Sequence, residues 1–204
     1  MKRLFFTIFA LNLSTVIFAL DGFQNTVAPS GDILATGSER VCIFAPDGSV
    51  KWEHPTGNNA DAWYLPNGNV LFADGSCWEI NPKHEVVWSY KPQDQTGGGA
   101  FSCQRLPNGN TVVGENSTGR ILELTKENRI VTEFSVPINK KNRHQTMRMV
   151  RKLENGNFLV CHSGKNTVIE YTVKGEVVWE QKVPGLAFAA VRLADGSTLI
   201  SSLD

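Results

Sequence analysis

The feature of this sequence that most limits its fold is a short segment that occurs four times. The copies are "YLPNGNVLFAD" from Tyr64, "RLPNGNTVVGE" from Arg105, "KLENGNFLVCH" from Lys152 and "RLADGSTLISS" from Arg192. The Asn-Gly or Asp-Gly pair suits a tight hairpin turn, because these residues tolerate a positive φ angle. A weaker copy, "APSGDILAT", places a further turn glycine at Gly31. Turn glycines at this irregular spacing of about 40 residues indicate structural repeats with loop insertions.

Each repeat has the pattern of four short β-strands. The turn is followed by a β-prone run such as "NVLFA" or "NTVVG". A hairpin pattern comes next: "VCIFAPDGSVKW", "CWEINPKHEVVW", "ILELTKENRIVT" or "VIEYTVKGEVVW". Trp52, Trp88 and Trp179 share one position in the last strand, where the third unit has Thr132. Helical periodicity is absent after residue 20, and the β-branched and aromatic content favours strands.

These units predict an all-β fold, a β-propeller of four-stranded antiparallel blades. A single four-stranded unit cannot bury both of its faces, whereas radial packing covers the faces and protects the edges. We count four full blades plus a half blade, which predicts a truncated propeller over residues 21–204. A small closed propeller with an irregular last blade is the alternative. A sandwich or solenoid is also possible in principle, but an aromatic residue at a fixed place in three units favours blades.

The first twenty residues, "MKRLFFTIFALNLSTVIFAL", have the pattern of a secretory signal peptide. Lys2 and Arg3 precede a mostly apolar run that extends to Leu20. The alternative is an uncleaved membrane anchor, although the run is short for a full span. No other segment approaches that length. We therefore expect a mature chain that is extracytoplasmic, either periplasmic or secreted, with no membrane span after signal removal.

Charge and cysteine content restrict the partners further. Lysine plus arginine and aspartate plus glutamate each number 20, so no overall field favours nucleic acid as a partner. Cys42, Cys77, Cys103 and Cys161 could form disulfides in an oxidising compartment, with three possible pairings. Buried free thiols in strands are the alternative. No Cys or His cluster has zinc-ligand spacing, so no metal site is expected.

The repeat resembles a known family of propellers. "LPNGN" followed by an apolar strand, an "ILEL"-like strand and "GEVVWE" is similar to the repeats of bacterial quinoprotein-like (PQQ-like) and arylsulfotransferase-like β-propellers. The resemblance covers nearly all of residues 22–204 and implies the propeller architecture. Such propellers include quinone-dependent dehydrogenases, sulfotransferases, assembly scaffolds and binding proteins. The adjacent cysteine pair of the quinone enzymes is missing here, so we expect no cofactor.

A basic stretch, "NKKNRHQTMRMVRK", contains the most unusual local composition. Arg143, His144, Arg148 and Arg151 lie in it without any acidic residue. Arg148 stands where aligned units carry apolar or small residues such as Phe101 and Phe188. Arginine side chains could hold an anionic group here by paired N–H contacts. A solvated basic loop is the alternative interpretation.

The same alignment predicts which side chains line the axial channel beside Arg148, since propeller ligands usually meet the inner strands and the loops before them. These candidates are Asp61, Trp63, Ser102, Gln104 and Arg151. An aromatic ring with polar neighbours suits a carbohydrate ligand. The run Gly97 to Gly99 lacks the Lys and Ser/Thr ending of a phosphate-binding loop. We interpret it as a flexible connection.

Support for catalysis is weaker. The resemblance to arylsulfotransferase-like repeats implies a His-Asp pair before the inner strand, and Ala60 occupies the histidine position in front of Asp61. His144 is the one catalytic candidate, four residues before the matching place in its own unit. Glutamates recur at one repeat position in three units, which favours a structural role over paired-carboxylate catalysis. They are Glu79, Glu123 and Glu170.

The sequence thus predicts an exported, non-catalytic propeller that binds a glycan, an anionic group or a protein partner at its axial face. A sulfotransferase- or hydrolase-like enzyme that uses His144 as acid or base is the first alternative. A fragment without independent function is the second.

Overall fold

A computed structural model describes residues 31–142 and 145–203 of the chain. The predicted signal peptide, Arg143 and His144 lie outside these residues. The described part folds into β-strands with short 3-10 segments, and it contains no helix that is long and apolar enough to cross a membrane. The strands are β1 (Ile33–Phe44), β2 (Val50–Asn58), β3 (Asp61–Tyr64), β4 (Val70–Ala73), β5 (Cys77–Ile80), β6 (Val86–Tyr90), β7 (Ala100–Arg105), β8 (Thr111–Glu115), β9 (Arg120–Leu124), β10 (Ile130–Ser135), β11 (Met149–Lys152), β12 (Phe158–His162), β13 (Thr167–Tyr171), β14 (Val177–Lys182), β15 (Leu186–Arg192) and β16 (Thr198–Leu203).

The strands form separate antiparallel sheets in chain order. Three sheets in the described part have four strands each, β3 to β6, β7 to β10 and β11 to β14. Two-stranded sheets, β1–β2 and β15–β16, precede and follow them. We number these sheets blade 1 to blade 5 along the chain. Every connection within a blade is a short turn, which is the arrangement that four-stranded propeller blades require. The predicted all-β, four-stranded antiparallel architecture is confirmed.

The first blade differs from its prediction. The sequence predicts a turn between "DILAT" and "VCIF", but residues 33–36 and 41–44 lie in the single twelve-residue strand β1. A register shift between Ser38 and Arg40 in the pairing with β2 replaces the turn. Glu39, with a φ of +74°, lies opposite two residues of β2, Thr56 and Gly57, so the extra residue of this β-bulge belongs to β2 and β1 continues without reversing.

The repeated turn forms as its sequence predicts. In the second blade the amide of Gly68 donates to the Leu65 carbonyl at 2.9 Å, and Leu65 donates back to the Asn69 carbonyl at 2.8 Å. Gly68 has a φ of +83°, which a residue with a β-carbon tolerates poorly. The Asn67 side chain accepts the amide of Asn69 at 3.0 Å. The turn therefore fixes the register of each first hairpin.

Apolar packing lies between neighbouring blades. Leu71 of blade 2 and Leu122 of blade 3 are fully buried in one cluster, and Phe158 of blade 4 is fully buried in the next. Burial of one such side chain contributes about 1.5–3 kcal/mol. The innermost strands β3, β7, β11 and β15 consequently lie side by side. Their first residues define the loop face of the molecule, where the chain passes between blades, and their last residues define the turn face.

Candidate functional site

An ion pair joins blade 2 to blade 4 at the inner strands. Arg151 donates from Nη1 to Asp61 Oδ2 at 2.7 Å and from Nη2 to Asp61 Oδ1 at 2.8 Å. The two side chains are 14% and 9% exposed. Arg151 Nη1 also lies 3.1 Å from Ser102 Oγ of the intervening blade 3. This bidentate, charge-assisted contact therefore ties three successive blades together.

Blade 2 also binds the backbone of blade 3. Asp61 Oδ2 accepts the amide of Cys103 at 3.1 Å, and Trp63 Nε1 donates to the Cys103 carbonyl at 2.6 Å. The guanidinium of Arg151 lies 4.7 Å from the centroid of the Trp63 ring. Both backbone polar groups of Cys103 thus receive partners from side chains of the preceding inner strand.

Blade 3 repeats this arrangement towards blade 4. Ser102 Oγ accepts the amide of Val150 at 2.9 Å and lies 3.1 Å from the Val150 carbonyl. Gln104 Oε1 accepts the amide of Lys152 at 2.8 Å. An innermost strand is an edge strand, and its buried backbone groups need partners outside its own sheet. Side chains of the preceding blade supply them.

We call Asp61, Trp63, Ser102, Gln104 and Arg151 the inner-strand network. The structure brings together the residues that the alignment places on neighbouring inner strands. Their polar groups bind one another and the adjacent backbone, a structural role that the repeat pattern alone does not reveal.

Arg148 lies at the loop face, directly before β11. Its guanidinium carbon is 5.2 Å from the Phe101 ring centroid and 5.0 Å from the Phe188 ring centroid. These rings belong to blades 3 and 5, so three blades meet at this cation–π sandwich. Burial lowers the pKa of Arg148 from its ordinary value, but an arginine remains charged in such surroundings. Lys140 and Lys141 are exposed in the loop that precedes it.

The recurring glutamates form ion pairs between blades at the turn face. Glu79 binds Arg105 Nη2 at 2.6 Å, and Glu170 binds Arg192 Nη2 at 2.7 Å. The third pair joins Glu123 to Lys152. The predicted structural role of these glutamates is confirmed. Sequence reasoning missed their basic partners, although each is the first residue of a copy of the repeated segment.

A groove of about 550 Å³ opens at the turn face between blades 2 and 3. Pro66 and Pro107 of the two repeated turns and Lys126 of the β9–β10 turn lie along it, together with Glu79 and Arg105. The carboxylate and guanidinium are committed to each other, and Arg105 Nη1 also donates to the Gly109 carbonyl at 2.8 Å. The groove therefore has no carboxylate–guanidinium pair directed towards a ligand.

The histidines within the described ranges have packing roles. His162 is fully buried, with Nδ1 3.1 Å from the Thr146 carbonyl and Nε2 2.9 Å from the Tyr171 hydroxyl. Burial lowers the pKa of His162 to about 4, so the ring is neutral at physiological pH. His54 and His84 stack on Trp52 at the edge between blades 1 and 2. No group of three metal-ligating side chains occurs in the described residues.

The glycine run is a packed crossing between blades, contrary to our interpretation of it as a flexible connection. Gly99 accepts amides from Asn116 and Ser117, and Asn116 Nδ2 donates to the Gly97 carbonyl at 2.9 Å. A β-carbon on Gly99 would lie 2.2 Å from the Gly75 carbonyl oxygen. The glycines are needed because two backbones approach each other here.

The four cysteines are free and buried, in strands β1, β5, β7 and β12. This agrees with the free-thiol alternative. Cys77, Cys103 and Cys161 belong to the apolar clusters between blades.

No protein-family model and no curated protein sequence matches this chain. Solved structures do match. A protein of unknown function from Bacteroides caccae has a TM-score of 0.74 and 21% identity, over 83% of this chain and 64% of its own. A catalytically inactive virginiamycin B lyase from Staphylococcus aureus, solved with quinupristin, has a TM-score of 0.64 and 16% identity, over 86% of this chain and 61% of its own.

The WD40 β-propeller domain of Doa1 is also similar, with a TM-score of 0.67 and 13% identity over 88% of this chain and 58% of that one. At these identities the likeness establishes the β-propeller fold and nothing about activity. The chain spans about three-fifths of the length of these neighbours.

Proposed function

We propose that this chain is an exported, non-catalytic β-propeller protein that binds an anionic carbohydrate at its loop face, with Arg148 as the central contact. We also propose that its repeats belong with those of the quinoprotein-like and arylsulfotransferase-like propellers. Export is supported by the signal-peptide pattern of residues 1–20. The observation that carries the binding proposal is the guanidinium held between the Phe101 and Phe188 rings.

The contact of Arg148 with two aromatic rings favours an anionic group as the ligand. A guanidinium is planar and always charged, and it can bind a carboxylate or sulfate through two parallel hydrogen bonds. Lys140 and Lys141 add exposed positive charge to the same loop, and residues 136–148 include no acid. The local potential is therefore positive although the net charge of the chain is zero.

Aromatic surface beside this charge favours a carbohydrate over a small inorganic anion. Phe188 is partly exposed and contacts the Arg148 guanidinium. Ring faces pack against the apolar faces of sugars, while a uronate or sulfate group would bind Arg148. An anionic protein segment would satisfy the charge without needing the ring surface, and it is an outcome of the test below.

The arrangement of the inner-strand network supports a non-catalytic role. Asp61 and Arg151 bind each other in bidentate geometry, and Ser102 Oγ is engaged by the backbone of β11. A catalytic carboxylate or hydroxyl must instead be directed towards substrate. His162, which is buried and neutral, is likewise unsuited to acid–base work on a ligand.

Titration with defined oligosaccharides tests the proposal. We expect calorimetry to detect binding of uronate- or sulfate-bearing oligosaccharides, weakening as salt rises, and no binding of neutral ones. Arg148→Ala should reduce the affinity at least tenfold, and Arg148→Lys should retain part of it. Arg129→Ala is the matched control, because Arg129 is an exposed arginine at the opposite, turn face. Equal affinity of the Arg148→Ala variant, or a preference for acidic peptides, would refute the proposal.

An enzyme is the second candidate function, since one of the similar propellers is a lyase. In that case His144, which precedes Arg148 by four residues, would act as the acid or base. Turnover of a ligand that binds at the loop face, lost in His144→Ala while affinity is retained, would establish the enzyme. Binding without turnover, unchanged in this variant, would support the binding protein.

A further inference from the structure

Two of the four cysteines lie in the same packed layer between blades 2 and 3. Cys77 lies in β5, Cys103 lies in β7, and both side chains are fully buried. They belong to one apolar cluster with Leu71 and Leu122. Cys77 Sγ lies 4.0 Å from the carbonyl oxygen of Ser102, the residue directly before Cys103.

The remaining cysteines lie elsewhere. Cys161 is in β12 of blade 4, in the cluster between blades 4 and 5 that includes Met149 and Ala187. Cys42 is in β1 of blade 1. Of the three ways to pair four cysteines, the pairing that joins Cys77 to Cys103 would leave Cys42 and Cys161 in blades that are not neighbours. The packing therefore supports a single cross-link and two free thiols.

We propose that Cys77 and Cys103 form a disulfide that cross-links blade 2 to blade 3 when the chain folds in an oxidising compartment. This inference rests on the export that the proposed function includes. The reaction is thiol–disulfide exchange with a disulfide-bearing oxidant. One cysteine thiolate attacks the oxidant and forms a mixed disulfide, and the second displaces the oxidant as a thiol. Two S–H bonds are lost, one S–S bond forms, and the oxidant takes up two electrons and two protons.

The environment of the pair determines when this can happen. Burial, together with the Cys77 thiol and the negative charge of Asp61, raises the pKa of Cys103. A thiol that resists deprotonation is a poor attacking group in exchange. Because both sulfurs are also closed to solvent, the exchange must occur before blade 3 packs on blade 2. The folded, reduced protein should accordingly oxidise much more slowly than the refolding chain.

The cross-link should stabilise the fold. It would close a loop of about 25 residues and so restrict the unfolded chain, which corresponds to an increase in the midpoint of thermal unfolding of roughly 5–10 °C for a chain of this size. The measurement compares the oxidised protein with the same protein after reduction under denaturing conditions and refolding with reductant.

The decisive experiment is peptide mapping of the full-length chain, exported by a bacterial host through its own N-terminal segment. Denaturation with a thiol-blocking reagent, followed by digestion without reductant, should yield a linked peptide pair that contains Cys77 and Cys103, with blocked Cys42 and Cys161. Exported protein with all four thiols blocked would overturn the inference. Failure of export would refute the localisation alone. Refolding of the same chain in a glutathione redox buffer would then decide the disulfide, and four free thiols there would also overturn it.

Matched variants identify the pair. Cys103→Ala should abolish both the linked peptides and the difference in thermal midpoint between the oxidised and reduced forms. Cys161→Ala removes an equally buried thiol from another blade and should retain both. Loss of the cross-link in the Cys161 variant would show that a different pair reacts.

Discussion

The boundary between blades 2 and 3 and the boundary between blades 1 and 2 use different chemistry at the same repeat positions. In blade 2, Glu79 lies opposite Trp88 in the pairing of β5 with β6, and Arg105 of blade 3 binds this glutamate and lies 5.3 Å from the tryptophan centroid. In blade 1, Ile43 lies opposite Trp52. Tyr64 of blade 2 occupies the position of Arg105.

The first boundary is therefore apolar and aromatic. Tyr64 and Trp52 pack with Ile43 in one cluster, and Trp52 Nε1 donates to the Pro82 carbonyl at 3.3 Å. His84 stacks on Trp52 with ring centroids 5.3 Å apart. The Nδ1 atoms of His54 and His84 are 3.1 Å apart, so the Nδ1–H of one neutral ring donates a hydrogen bond to the Nδ1 of the other.

The comparison shows that blade packing does not depend on the ion pair. A largely buried pair loses hydration on both partners, and its net contribution is small unless further hydrogen bonds satisfy its atoms. At the boundary between blades 2 and 3, the repeated turn of blade 2 supplies these further hydrogen bonds. Asn69 Nδ2 donates to Glu79 Oε1 at 2.6 Å, and Asn67 Nδ2 donates to the same oxygen at 3.2 Å. The ion pair and the apolar contact thus occupy equivalent backbone positions at the two boundaries.

Breaking the ion pair on one side should have the largest effect. Glu79→Ala leaves Arg105, which is 12% exposed, without its carboxylate, and should lower the free energy of unfolding by about 3 kcal/mol. Urea denaturation followed by tryptophan fluorescence measures this loss. The control is Glu79→Ile with Arg105→Tyr, which copies the first boundary and should cost about 1 kcal/mol or less. If the double variant is as unstable as the single one, the ion pair and the apolar contact are not interchangeable.

The reverse exchange tests the first boundary. Ile43 is 9% exposed, and Ile43→Glu places a carboxylate there without a cation, which should cost about 2 kcal/mol. Adding Tyr64→Arg supplies the partner and should recover at least about 1 kcal/mol of this loss, measured as the coupling in a double-mutant cycle. Additive effects of the two substitutions would show that positions 43 and 64 cannot form the ion pair that positions 79 and 105 form.

Acid should weaken the two boundaries unequally. Burial and the neighbouring His84 lower the pKa of His54, against the opposing effect of Asp74. A base with a lowered folded-state pKa contributes its full stability above the unfolded value of about 6.5 and loses it as pH falls through the folded value. The hydrogen-exchange protection factors of β2 should therefore fall as the pH drops below about 6.5, while those of β7 are unchanged. His84→Asn should remove most of this difference, and an equal loss of protection in both strands would contradict it.

An exposed ion pair provides the smallest effect and calibrates the others. Arg129 and Glu127 are 78% and 63% exposed and 3.2 Å apart. Arg129→Ala should change the free energy of unfolding by no more than about 0.5 kcal/mol, because water screens the pair. A loss as large as that of Glu79→Ala in the same denaturation assay would show that burial is not what distinguishes these pairs.

The sequence predicts the turns and strands that recur within each unit, but it does not predict the side-chain contacts between units. The Asn-Gly turns, the strand order and the structural role of Glu79 follow from local patterns that recur in each unit. The bidentate contact of Arg151 with Asp61 joins residues 90 positions apart, and its existence depends on the spacing of blades, which no single repeat encodes. The interpretation of the glycine run as a flexible connection is wrong for the same reason. The backbone of Gly75 lies so close to Gly99 that no β-carbon fits there.

Departures from the repeat are also hard to predict. Strand β1 contains the turn signals expected between two strands, yet it continues past Glu39, where a bulge in β2 shifts the register. Local propensity for a turn and for a bulge is similar, and pairing with β2 decides between them. Arg148 is the converse case, because its unusual charge stands out in the alignment and the structure gives it an unusual environment.

Where an inner-strand side chain binds the backbone of a neighbouring inner strand, the side chain belongs to the earlier blade and the backbone to the next blade. Asp61 and Trp63 serve the backbone of β7, and Ser102 and Gln104 serve that of β11. During synthesis from the amino terminus, each new blade would emerge to find its acceptors and donors already arranged on its predecessor. Assembly in that order needs no rearrangement of earlier blades, whereas a blade removed from the middle would deprive its successor of a template.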